Sequence, residues 1–297
     1  VLFGGLMTNS PERLWPELLW DVRAELGEGP VWDATRACVW FVDIKGRKLH
    51  RYGVEDQTQA SWDTPDQTGF ALPAEDGSLI CGVRGGLHRF TPETGEFALI
   101  QPVETDRPGN RLNDGFVAPD GTLWFGSMDD AEEAETGALY RWRRGELTRM
   151  DDGYGITNGP ALSPDGLTMY HHDTAHRTVF AFDHADGEIT NRRVFAVPTK
   201  GYPDGPSVDS AGVIHVGLFH GGGVARFSPE GAELDPIAFP VPTVTKVVFG
   251  GDDLRTLFCT TAWKGQDAAT RAAYPTMGGL FAVRVETPGL PQALVAL

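Results

Sequence analysis

A chain of 297 residues, 41% hydrophobic and 22% charged, has an ordinary globular composition and enough material for a large core. Its formal net charge of −16 reflects 41 acidic against 25 basic residues. The clustered Lys and Arg that a phosphate backbone requires are missing, which argues against nucleic acid as a partner. No stretch approaches the length of a membrane span, so no membrane partner is expected, and the chain reads as a cytoplasmic monomer.

Residues 1–13 lack a basic segment followed by a long apolar run and do not read as a signal peptide. Residues 1–17 are taken as an N-terminal extension, of which 1–6 would precede an alternative start at Met7. Residues 18–297 are taken as one domain. Residues 18–25 look like an outer strand without a partner close by in sequence. The three cysteines, Cys38, Cys81 and Cys259, are odd in number, have no CxxC spacing and sit in apolar runs. They are expected to be buried free thiols in a reducing compartment.

From residue 35 onward one phrase recurs: a turn, mostly of Gly and Asp, followed by a short β-branched or aromatic run. Its copies are 35–42, 76–83, 120–126, 165–170, 210–216 and 252–259, spaced by about 40 to 45 residues, the size of a four-stranded propeller blade. A second phrase follows each copy, at 48–52, 86–90, 138–142, 178–182, 223–227 and 279–283. Its period-two alternation marks strands buried on one face. A further strand follows most units, for example at 193–197 and 236–239. The prediction is an all-β, six-bladed β-propeller with four-stranded blades. Because an open edge invites aggregation, the N-terminal strand is predicted to complete the last blade and close the ring. Residues 292–297 are a second candidate for that place.

The repeat also serves as a ruler. Counting five residues back from each turn gives Glu28, Gly69, Asn113, Asn158, Asp204 and Thr245, one per unit. Equivalence puts these six around one axis, and four of them carry acidic or amide oxygens. Two carboxylates and two amide oxygens in a dry channel would be unfavourable without a cation among them, and an all-oxygen set suits Ca²⁺, Mg²⁺ or Mn²⁺. Read as ordinary turn formers, the same residues would be explained one at a time, but their common register would not. His171, His172 and His176 lie on a second strand and its exit, where neighbours alternate between faces, so packing or solvent roles are expected. There is no nucleophile elbow and no phosphate-cradling loop. Gly221–Gly223 read as a turn, and the Trp and Phe residues as core.

The motifs Leu26-Gly27-Glu28-Gly29-Pro30, Arg111-Leu112-Asn113-Asp114-Gly115, Ile156-Thr157-Asn158-Gly159, Pro203-Asp204-Gly205 and Phe249-Gly250-Gly251-Asp252-Asp253-Leu254 occur in this order. Together they resemble the SMP-30/gluconolactonase/LRE family, with most similarity to bacterial sugar lactonases of the xylonolactonase type. The resemblance implies one divalent metal ion held by Glu28, Asn158 and Asp204, three of the four polar residues that counting singles out. Asp204 would be the general base, with ion-activated water competing for that role. Arg111 and Asn113 would contact the lactone, and Asp129 or Asp130 could add a further sugar contact. The expected reaction is hydrolysis of an aldonolactone, such as xylonolactone or gluconolactone, to the free acid. Ca²⁺, Fe²⁺, Zn²⁺ and Mn²⁺ all suit such a site. Two other readings remain open: a promiscuous esterase or phosphotriesterase-like hydrolase using the same residues, and a non-catalytic Ca²⁺-binding scaffold.

Overall fold

Within each repeat unit the apolar runs are mostly joined by short turns, which permit antiparallel but not parallel neighbours. The computed structural model describes residues 15–297, and there the runs form twenty-four strands with one short helix. The strands Gly27–Asp33, Cys38–Asp43, Lys48–Gly53 and Gln59–Asp63 make the first four-stranded antiparallel sheet. Sheets opening with Thr68–Pro73, Asn110–Val117 and Thr157–Leu162 repeat it. The remaining eight strands form one sheet of two antiparallel runs. One run opens with Tyr202–Val208 and the other with Val244–Gly250, and a single parallel bridge, Gly205 to Lys246, joins them. The six turn phrases lead into second strands and the six alternating phrases lie on third strands, as predicted.

Burial falls from the first strand of a unit to the fourth. Every residue of Gly27–Asp33 is buried, whereas Gln59–Asp63 is exposed or half-buried throughout. The first strands therefore face one another at the centre, and the arrangement is propeller-like. Glu17–Trp20 pairs antiparallel with Leu280–Arg284, so the N-terminal strand fills the place predicted for it. Residues 292–297 do not share that role. Val295 bridges Ala74 in parallel, and Ala296 donates to the carbonyl of Gly121. The cause is apolar: Val295 is fully buried in the cluster that holds Phe70, Leu72 and Ala74. The helix, Ala268–Ala273, was not anticipated. It is capped by Asp267, which accepts from the Thr270 N–H at 2.7 Å, and it buries nothing. The three cysteines are buried and free, as expected. Of the predicted extension over residues 1–17, residues 1–14 and the alternative start at Met7 lie outside the described residues, while Glu17 already belongs to the strand Glu17–Trp20.

One irregularity recurs in all six first strands. In each, two residues oppose one on the second strand: 29 and 30, 69 and 70, 113 and 114, 159 and 160, 204 and 205, and 245 and 246. Such a bulge breaks the ladder and re-aims a side chain. Gly69, Asn113, Asp204 and Thr245 are the first bulged residues of their strands. Glu28 and Asn158 stand one residue earlier, so the single register predicted by counting is offset at two of six positions. In those two strands the bulge is Gly-Pro, and Gly29 and Gly159 adopt φ of +55° and +87°, a region that favours glycine. At Gly69 the need is space, because a Cβ there would collide with the backbone carbonyl of Asn113 on the neighbouring first strand.

Candidate metal centre

Polar side chains at or just before the bulges are buried together in the first strands. Glu28, Asn158 and Asp204 are all buried, at 5%, 2% and 5% exposure. The Glu28 and Asp204 carboxyls are close enough to share a hydrogen bond. Burial raises both above the ordinary carboxylate range; next in size comes the charge of Asp114 for Glu28, and of Glu28 for Asp204. Asn158 is fixed by its amide: Nδ2 donates to Thr174 Oγ1 at 2.8 Å, which donates on to the Pro203 carbonyl at 2.6 Å. Its Oδ1 is thereby turned to the channel, where it accepts from Asn113 Nδ2 at 3.2 Å. Behind Asp204, His172 Nδ1 donates to the Asp204 backbone carbonyl at 2.7 Å. Burial pushes the His172 imidazole down to about 4, which keeps it neutral.

The ammonium groups whose charge reaches these carboxyls are engaged elsewhere: Lys264, which acts on Asp204, pairs with Glu132, and Lys246 acts on Glu28. Lys246 Nζ pairs with Asp114 Oδ1 and donates to the Gly115 carbonyl at 3.1 Å. Two buried carboxyls and an oriented amide oxygen therefore lie together without a cationic side chain bonded to them among the described residues. This all-oxygen donor set fits one hard or borderline divalent ion, with coordination positions left open.

The substrate-side residues adjoin the centre. Arg111, 3% exposed, donates from Nη1 to Asn113 Oδ1 at 2.5 Å and from Nε to Asp130 Oδ1 at 2.9 Å. Its Nη2 makes no hydrogen bond to the described residues. Asn113 also donates to the Thr157 carbonyl at 2.5 Å. The structure thus brings Arg111, Asn113, Glu28, Asn158 and Asp204 into one neighbourhood. Asp130 joins them through Arg111, while Asp129 turns to the backbone N–H groups of its own loop at Glu133 and Ala134. His171 packs edge-on against Tyr154, and His176 pairs with Asp173 and Glu135 at the surface, in line with the packing and solvent roles expected of them.

Two features escaped sequence reasoning. The Asp114–Lys246 pair joins the second bulged residues of two first strands, so moving the ruler on by one residue would have exposed it. The cations around Asp130, namely Lys45, Arg84 and Arg111, come from three units and share no motif. A separate cavity of about 770 Å³ is lined by Pro30, Pro160, Pro206, Lys246 and residues 290–293. It does not include the carboxylate pair.

Residues 26–263 match the model of the SMP-30/Gluconolactonase/LRE-like region. The chain belongs to that family. Among its relatives is a 6-deoxy-6-sulfogluconolactonase of Pseudomonas putida, 34% identical over 91% of this chain and 95% of that protein. A pentonolactonase of Haloferax volcanii is also 34% identical, over 92% and 95%. Among solved structures, the calcium-binding protein regucalcin of Agrobacterium tumefaciens superimposes with a TM-score of 0.92 at 28% identity, covering 96% of this chain and 98% of that one.

Proposed function

We propose that this SMP-30/gluconolactonase/LRE-like chain is a lactonase that hydrolyses the ester bond of a sugar lactone, using one divalent ion held by Glu28, Asn158 and Asp204. The observation that carries the reading is the buried carboxylate pair beside the oriented Asn158 oxygen, with Lys246 committed to Asp114. Relatives named for sulfogluconolactone and pentonolactone support the substrate class, and a neighbour described as calcium-binding supports the ion. The same reading takes the six antiparallel units as six blades of one propeller domain running from residue 18, with the eight-stranded sheet counted as two blades joined at Gly205.

When bound, the ion would supply positive charge that polarises the lactone carbonyl and acidifies a nearby water. Asp204 accepts a proton from the attacking water as its oxygen bonds to the carbonyl carbon. When the ring C–O bond breaks, the proton held at Asp204 passes to the departing ring oxygen, which becomes the hydroxyl of the open-chain acid. Asn113 and the free Nη2 of Arg111 hold the sugar in place, and the buried site keeps competing water out.

Two measurements test this. Chelator-stripped protein is expected to release acid from xylonolactone and gluconolactone no faster than the spontaneous rate, and one divalent ion added back restores turnover. A folded protein that accelerates neither with any ion overturns the proposal. Arg111→Ala is expected to raise KM about tenfold or more, the scale of one lost hydrogen bond to a charged group. An unchanged KM would remove Arg111 from the sugar contacts.

A further inference from the structure

We propose that Lys45 and Arg84 form a subsite for an anionic substituent, a carboxylate, phosphate or sulfonate, carried by the lactone at the end remote from its reacting carbonyl. This deepens the lactonase reading and rests on it.

The subsite starts from an imbalance of charge. Asp130 accepts from Lys45 Nζ at 2.5 Å, Arg84 Nη2 at 2.5 Å, Gln67 Nε2 at 2.8 Å and Arg111 Nε at 2.9 Å. Three cations therefore surround one carboxylate, and one acid cannot neutralise them. Burial alone would raise the Asp130 carboxyl, but hydrogen bonds from Lys45 and Gln67 and the charge of Arg111 hold it well below the ordinary range. It is a fixed anchor that aims the cations and leaves a surplus of positive charge.

The charges of Glu132 and Glu28 also act on Arg111, but among the described residues Lys45 and Arg84 pair with no acid other than Asp130. Glu132 pairs with Lys264, and Glu135 with His176. Asp129 accepts from its own loop backbone. Asp43 accepts from the backbone N–H groups of Glu25, Leu26 and Gly46. In a chain of net charge −16, a local excess of cations needs a cause, and long-range attraction of an anion cannot supply one. Short-range pairing can. Lys45 and Arg84 keep 20% and 28% of their side chains exposed, so a ligand can reach them.

Position completes the argument. A continuous path of hydrogen bonds leads from Asn158 through Asn113 and Arg111 to Asp130, and from there to Lys45 and Arg84. The reacting carbonyl belongs at the Asn158 end, so the far end of the sugar meets Lys45 and Arg84. Each unit contributes one part: Lys45 follows the second strand of the first sheet, Arg84 that of the second, and Asp130 that of the third.

The test compares kcat/KM for gluconolactone with that for counterparts bearing a carboxylate, phosphate or sulfonate at the terminal carbon. The native protein is expected to favour at least one anionic lactone by about tenfold or more, with a preference that shrinks as salt rises because partly exposed charges are screened. In Lys45→Gln and Arg84→Gln the anionic-to-neutral ratio falls toward one, by roughly tenfold for each cation removed. Which anion gains most identifies the substituent. Equal rates for neutral and anionic lactones in the native protein overturn the subsite, as does a ratio unmoved by both substitutions. Failure to hydrolyse any lactone would instead overturn the lactonase reading.

Discussion

Asp204→Ala is expected to lower kcat/KM for a sugar lactone by at least about a thousandfold while leaving the fold intact, because a positioned general base alone is worth roughly 10²–10⁴. The effect on stability should run opposite to the usual one for a buried substitution. Without a divalent ion, the variant removes a buried carboxyl whose ionisation is opposed by burial and by the charge of Glu28. Its melting temperature in chelator is therefore expected to equal or exceed that of the native protein. Adding the ion should stabilise the native protein by mass action and the variant much less. A variant that melts well below the native protein in chelator would show that Asp204 holds the fold together and not an ion.

Asp204→Asn separates the two roles of this side chain. An amide oxygen can still face an ion, but it cannot accept a proton from water at neutral pH. Retained ion-dependent stabilisation with lost turnover assigns Asp204 as the base. Retained turnover would leave it as a ligand alone and place proton transfer elsewhere.

The propeller-like arrangement was legible because its units repeat. One blade is weak evidence, but six spaced copies of a turn followed by an alternating strand leave few alternatives. The candidate ligands were proposed from the same repeat, since four of the six counted positions carry acidic or amide oxygens, although Glu28 and Asn158 stand one residue before their bulges. What could not be read was anything set by contacts between units. The offset of Glu28 and Asn158 depends on Gly-Pro bulges whose backbone shape is local, yet its consequence appears only across the channel. The route of residues 292–297 was settled by where Val295 could be buried, and the cluster around Asp130 draws one residue from each of several loops. Periodicity finds what every unit shares. It is silent on what a single unit supplies to its neighbour.

The Asp114–Lys246 pair is such a cross-unit contact and gives the largest expected loss of stability. Asp114 and Lys246 are 2% and 7% exposed, and Asp114 also accepts the backbone N–H groups of Gly115 at 2.7 Å and Gly159 at 2.8 Å. Asp114→Ala would strand a buried ammonium and two backbone donors at once, so a loss of about 3–5 kcal/mol is expected from denaturant unfolding. Breaking one side of a buried pair is far worse than removing both. Combining Asp114→Ala with Lys246→Met should therefore recover a large part of the loss, a coupling that a double-mutant cycle reads directly. Because Asp114 Oδ2 holds the residue after Asn158, the double variant should regain stability without regaining full ion affinity. If the two substitutions were instead simply additive, the pair would be a coincidence of packing, and the alignment of Asn158 would have to come from Thr174 and Asn113 alone.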